Sequence, residues 1–116
     1  MHEMSLATEV YRLCRSRAAG GRIERVKVAV GELSAVEPEL LRYAWEAVTS
    51  GGADVGAVLE IDWREAAQVC ASCGARAARV AGGWLAACPA CGGALRIEGG
   101  RELDVLELRH APAVPR

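Results

Sequence analysis

Between Glu3 and Ala18 the apolar residues Leu6, Ala7, Val10, Leu13 and Cys14 recur at helical spacing, with Glu9, Arg12 and Arg15 between them. That pattern predicts an amphipathic helix, and Gly20-Gly21 would stop it. Val26, Val28 and Val30 then alternate with Arg25, Lys27 and Ala29, the rhythm of a half-buried strand. Glu37-Pro38 reads as the start of a second helix, because proline is tolerated at the first helical position. Its stripe is Leu40, Leu41, Ala44, Trp45 and Val48, and Gly51-Gly52 closes it. A second strand follows, where Leu59, Ile61 and Trp63 alternate with Glu60, Asp62 and Arg64. From Val69 to Gly93 both rhythms fail. A third strand returns at Leu103-Asp104-Val105 and Leu106-Glu107-Leu108, with a phase shift that suggests a bulge.

The order is therefore helix, strand, helix, strand, an irregular insertion, strand. Two amphipathic helices can cover one face of a three-stranded sheet, giving a two-layer α/β (α+β) fold. We expect residues 1–66 and 98–116 to form that unit and residues 67–97 to form an inserted module. The pair Gly82-Gly83 suggests a turn inside the module, and Gly99-Gly100 a hinge leaving it.

The length of 116 residues suits one domain, or a small domain carrying a smaller module. Hydrophobic residues make up 52% of the chain, but much of this is alanine and there is no Phe, so the core must be thin. A thin core in a short chain points to an additional staple. Fourteen basic residues against fifteen acidic ones leave a net charge of -1, which argues against a simple nucleic-acid or polybasic membrane binder. No apolar run is long enough to span a membrane, and the first residues do not resemble a secretory signal. We expect a cytoplasmic protein, where paired cysteines mean metal more often than disulfide.

Four of the five cysteines supply that staple. Cys70-Ala-Ser-Cys73 and Cys88-Pro-Ala-Cys91 form C-x2-C-x14-C-x2-C, close to the spacing of tetrathiolate zinc sites. Each pair is followed by glycine, Gly74 and Gly92, which accepts the positive φ that lets backbone N–H groups turn toward the sulfurs. Four thiolates suit tetrahedral Zn²⁺ and leave no open position, so the ion would be structural rather than catalytic. An iron–sulfur site uses the same ligands and would betray itself by colour. A disulfide pair is disfavoured by compartment, and a thioredoxin-like redox site would use one C-x-x-C rather than two. Cys14 sits on the apolar stripe of the first helix and reads as a small core residue.

The chain opens Met1-His2-Glu3. The Met1 amine, the backbone nitrogens of His2 and Glu3, and the His2 imidazole can reach one ion together, and four planar nitrogens suit Ni²⁺ or Cu²⁺. The plainer reading is a solvated terminal histidine, and these residues alone favour it.

The sequence as a whole resembles the HypA (HybF) family of hydrogenase-maturation nickel metallochaperones. The resemblance rests on Met1-His2-Glu3-Met4-Ser5-Leu6 and on Val30-Gly31-Glu32-Leu33-Ser34 continuing through Glu37-Pro38-Glu39-Leu40-Leu41 to Tyr43-Ala44-Trp45-Glu46. It also includes both C-x-x-C-G knuckles and Gly99-Gly100-Arg101-Glu102-Leu103-Asp104-Val105. These pieces cover nearly the whole chain. The resemblance implies a Ni²⁺ site at Met1, His2 and Glu3 and a structural Zn²⁺ site at Cys70, Cys73, Cys88 and Cys91. It further implies delivery of nickel to the [NiFe]-hydrogenase large subunit with a HypB-type GTPase, and service to urease in some members. The loop between the knuckles is short and lacks histidine, so no further nickel ligand is expected there. Glu3 and Glu37 are candidates for contacts behind the nickel site or with a partner. Self-association is left open by these residues.

Two other classes compete with this reading. A zinc hydrolase or redox enzyme is disfavoured by a metal shell already filled by four cysteines and by only two histidines. A zinc-ribbon interaction or nucleic-acid module with an inert N-terminus remains the alternative; Arg76, Arg79 and Arg96 would be its basic residues, but no basic stripe accompanies them.

Overall fold

The computed structural model describes residues 2–80 and 82–112. Helix α1 (His2–Ala18) leads into strand β1 (Ile23–Gly31), helix α2 (Pro38–Thr49) and strand β2 (Val58–Arg64). Three short strands follow, β3 (Ala67–Cys70), β4 (Arg76–Ala77) and β5 (Leu95–Glu98), before β6 (Leu103–His110). The first sheet has the order β2-β1-β6 and the second β4-β3-β5. Both helices, three strands and the inserted cysteine segment stand where the sequence pattern puts them. The sequence pattern does not announce the second sheet, because its strands are too short to show a period.

Strand β2 runs parallel to β1 through the α2 crossover, and β6 closes the other side antiparallel. The register of β6 slips where Leu106 is left without a partner, which is the expected bulge. Val26, Val28 and Val30 point to the helices and are buried, as are Ala7, Val10, Cys14 and Ala18 of α1. From α2 come Leu41, Ala44 and Trp45. The Trp45 indole donates to Ala57 O at 2.9 Å and meets the Tyr11 ring edge-on, centroids 6.0 Å apart. Leu40, read into the apolar stripe, is 44% exposed, because it lies about 100° around the helix from Leu41.

The opposite face of the sheet is wet and carries charges of both signs. Arg25 pairs with Glu60, Lys27 with Glu107 and Arg64 with Asp62. Such pairs contribute little each, but together they solvate a face that no element covers.

One polar network ties the core together. Asp54, in the loop after α2, is 1% exposed. Its carboxylate accepts from Tyr11 Oη at 2.6 Å, from Arg15 at 2.8 and 2.9 Å, and from the Ile23 amide at 2.8 Å. Burial pushes its pKa up, but the three donors outweigh that and hold it below the ordinary carboxylate value. Nothing in the sequence pattern singles out this residue. Replacing Asp54 with Ala strands a buried amide, a phenol and a guanidinium at once. The expected loss is about 3 kcal/mol, read as a fall of about 10 °C in the thermal midpoint.

Candidate metal centre

The second sheet and its loops form an arm, and the molecule is correspondingly long, 67 × 25 × 17 Å. In β3, Gln68, Val69 and Cys70 are buried. The arm buries few other side chains, and none of the residues of the main apolar cluster comes from it. Something other than apolar burial must hold it.

The two knuckles meet within the arm. Cys70 N–H donates to Ala75 O and Gly74 N–H to Cys70 O, folding the first turn; Gly92 N–H donates to Cys88 O, folding the second. Both Gly74 (φ 76°) and Gly92 (φ 77°) take the positive φ that these turns demand. The four sulfurs of Cys70, Cys73, Cys88 and Cys91 lie within 4.8 Å of one another. Cys70 Sγ is 3.5 Å from Cys91 Sγ, and Cys73 Sγ is 3.8 Å from Cys88 Sγ. A disulfide would need about 2.05 Å. Four sulfurs held about 2.3 Å from one ion at tetrahedral angles stand about 3.8 Å apart. The donor set and its spacing therefore fit zinc.

Electrostatics agree. The Cys73 and Ser72 amides both point at Cys70 Sγ at 3.4 Å. Led by the Cys73 amide, these donors bring the Cys70 thiol down to about 6. The Gly93 amide draws Cys91 down, but the neighbouring sulfurs of Cys70, Cys73 and Cys88, together with burial, push it up to about 12. Four crowded thiols resist ionising together unless a cation shares the charge.

The arm joins the first sheet through a narrow neck, where the chain leaves at Arg64–Ala66 and returns at Gly99–Glu102. Glu32 N–H donates to Arg64 O, Gly31 N–H to Glu102 O and Leu33 N–H to Gly100 O. The return strand passes so close that a Cβ on Gly31 would stand 2.2 Å from Gly100 O, and one on Gly100 2.5 Å from Ala66 Cβ. Gly100 is buried, so this position is a wedge, unlike the free hinge that the glycine pair suggests.

Beyond the neck lies a largely buried ion pair. Arg79 donates to both Glu32 oxygens at 2.8 Å, to Ala66 O at 2.6 Å and to Gly83 O at 2.7 Å. The Trp84 ring stacks on its guanidinium, 3.8 Å from carbon to centroid. Leu85 is tied to Gln68 by a pair of hydrogen bonds, and neither Trp84 nor Leu85 is in a strand. Arg79, with the Ala66 amide, holds Glu32 at about 2. Arg76 and Arg96 both face Glu98. The three arginines of the arm therefore already have carboxylates, and no basic stripe forms among the described residues.

At the other end of the molecule, His2 is exposed at the start of α1. Glu3 is only 8% exposed, and its carboxylate accepts from the Glu37 amide at 3.1 Å. That bond, first among the causes, holds its pKa below the usual value. Glu37 in turn caps α2, its own carboxylate accepting from the Glu39 amide. The two glutamates therefore join the starts of both helices. Met1, the remaining residue of the expected nickel set, lies outside the described residues. Cys14 is in the core, 1% exposed.

The profile of the family described as "HypA: Hydrogenase/urease nickel incorporation, metallochaperone, hypA" matches residues 1–110. The chain is 38% identical over 109 residues to the hydrogenase maturation factor HypA of Geobacter sulfurreducens, covering 93% of this chain and 97% of that protein. It is 43% identical over 112 residues to the HypA of Azotobacter chroococcum, with the same coverage. Among solved structures, the solution structure of the Ni metallochaperone HypA from Helicobacter pylori matches with a TM-score of 0.60 at 25% identity, over 95% of this chain and 97% of that one. A second solution structure of a HypA protein matches with a TM-score of 0.64 at 26% identity, over 96% of this chain and 97% of that one.

Proposed function

This chain belongs to the HypA family of hydrogenase/urease nickel-incorporation metallochaperones, and from that premise we propose how it carries its cargo. The protein is a nickel metallochaperone of hydrogenase maturation, and its work is transport rather than catalysis. Ni²⁺ is held by Met1, His2 and Glu3, and a structural Zn²⁺ by Cys70, Cys73, Cys88 and Cys91. Residues 1–66 with 98–116 form the nickel-binding unit and residues 67–97 the zinc-binding module.

The observation that carries this reading is a family match running from residue 1 to 110, through both the terminus and the four cysteines. The local structure supports it. Residues 2–4 form the first turn of α1, where N–H groups lack an intrahelical acceptor. The nitrogens of His2 and Glu3 thus have no helical carbonyl to give up, although the Glu3 N–H turns toward its own carboxylate. The Glu3 carboxylate is occupied by Glu37, so Glu3 serves the ion through its backbone nitrogen and braces the helix through its side chain. An exposed terminus also suits a carrier, since few packed contacts must rearrange on release.

The receiving partners in this reading are a HypB-type GTPase and the [NiFe]-hydrogenase large subunit, in the cytoplasm. The test is complementation. In a strain lacking its own HypA, the untagged protein should restore nickel-dependent hydrogenase activity from background to most of the wild-type level. Protein that is made and folded yet restores none would overturn the assignment.

A further inference from the structure

The wedge of Gly31 against Gly100 fixes where the two strands cross, and Glu65 and Gly99, adjacent to that crossing, are exposed. Distal to that crossing the side chain of Arg79 reaches back to Glu32, just past the end of β1. Its fork is nearly saturated, with four hydrogen bonds and a stacked indole, and its side chain is only 8% exposed. Glu32 is equally committed, because Oε1 also accepts from the Ala66 amide at 2.9 Å. A bidentate, buried, stacked arginine is a rigid contact, unlike a solvated surface pair.

Where Arg79 sits in the chain matters. It stands midway along the loop that begins at Cys73 and ends at Cys88, so both ends of its loop are ligands of the four-cysteine cluster. The loop is folded around the guanidinium by the Gly83 N–H to Val80 O turn and by Arg79 Nε to Gly83 O. It is moored to β3 by the paired Gln68–Leu85 bonds, near Cys70. Losing the ion would release the Cys88–Cys91 knuckle, and with it the segment that carries Trp84 and shapes the Arg79 pocket.

We propose that Arg79 and Glu32 form a latch that is closed only while the four-cysteine cluster is filled, so that the bound ion sets the orientation of the arm against the first sheet. The inference rests on the reading of that cluster as a zinc site. Closure and ion binding are then linked, and each must favour the other by the same factor. Opening the latch weakens zinc, and removing zinc opens the latch. The linkage uses no residue of the proposed nickel set, and the latch residues contact none of the cysteines, so either half can be altered without touching a ligand.

The experiment uses the full untagged chain. Stoichiometric zinc in the wild-type protein tests the zinc reading by itself, independently of the latch. Zinc affinity is then measured by chelator competition for wild type, E32Q, R79A and the double variant. We expect each single variant to bind zinc about tenfold more weakly, and the double variant no more weakly than the singles, because one contact is lost in all three. Residual dipolar couplings give the second readout. One alignment tensor should fit both sheets in zinc-loaded wild type, and two should be needed for zinc-loaded R79A, with the amide pattern of each sheet preserved. R79K, which keeps the charge but loses the fork and the stacking, should behave like R79A. Zinc affinity within twofold of wild type in R79A, or a single tensor shared by both sheets in that variant, would overturn the latch. If R79A does not fold, E32Q gives the same pair of readouts.

Discussion

Cys70→Ala is expected to strip the arm of its ion and its structure while leaving the rest of the molecule folded. Cys70 is the most enclosed ligand, 0% exposed, and two amides and two neighbouring sulfurs converge on it. Three thiolates cannot fill a tetrahedral shell, and structural zinc contributes on the order of 10 kcal/mol to the folding of a small module. The arm has little to set against that loss. Its buried set is Ala66, Gln68, Val69, Cys70 and Cys88, and it adds nothing to the main cluster. Elemental analysis should fall from about one zinc per chain to less than about a tenth. Limited proteolysis should cut within residues 67–97 and leave a trimmed core. That core should survive because Trp45, Leu41, Ile23 and the valines of β1 belong to a cluster with no residue from the arm. Cys88→Ala should match it. A zinc-free variant whose arm resists protease as wild type does would contradict this account.

The expectation of an intact remainder follows from periodicity, and periodicity is where the sequence is most readable. Val26, Val28 and Val30 alternate over a long strand, and Glu37-Pro38 marks a helix start by its proline. Both elements stand where the pattern implies. The knuckles are legible for another reason: metal ligation fixes spacing within the chain itself, so the chemistry is local.

What escapes is chemistry between residues far apart in sequence. Asp54 looks like a loop acid, and nothing near it reveals that Tyr11, Arg15 and Ile23 converge on it. Arg79 is one of three arginines in the module, and only the fold singles out the one facing Glu32. The Gly99-Gly100 pair misleads in the same way. Glycine signals either freedom or close approach, and only the partner strand decides between them. The contact of Gly31 with Gly100 decides for close approach.

Glu3 joins these local and long-range readings. Motif position makes it a member of the proposed nickel set, whereas its carboxylate is spent on the Glu37 amide across the helix pair. The two descriptions agree if the ion takes nitrogen from Glu3 and leaves the carboxylate in place. A cation at the start of a helix faces the positive end of the macrodipole, which is unfavourable. Deprotonated amides of His2 and Glu3 would reverse that sign, and this makes nickel binding depend on protons as well as on the imidazole.

Replacing His2 with Ala should therefore weaken Ni²⁺ binding at least about 100-fold, about 2.7 kcal/mol. The thermal midpoint should not move, because His2 is exposed and surface changes typically cost under about 0.5 kcal/mol. A short extension ahead of Met1 should cost as much as losing the imidazole, since it converts the terminal amine into an ordinary amide and displaces it from the chelate. For the unmodified chain, affinity should fall more than about tenfold for each pH unit of acidification near neutrality, because more than one proton leaves as each ion binds. Calorimetric titration of untagged protein at several pH values reads all three. A carboxylate site would give the opposite pattern: little dependence on pH near neutrality, tolerance of the extension, and sensitivity to Glu3→Gln. That substitution should here loosen the junction of the two helices, by weakening the bond from the Glu37 amide, and leave nickel affinity within about threefold.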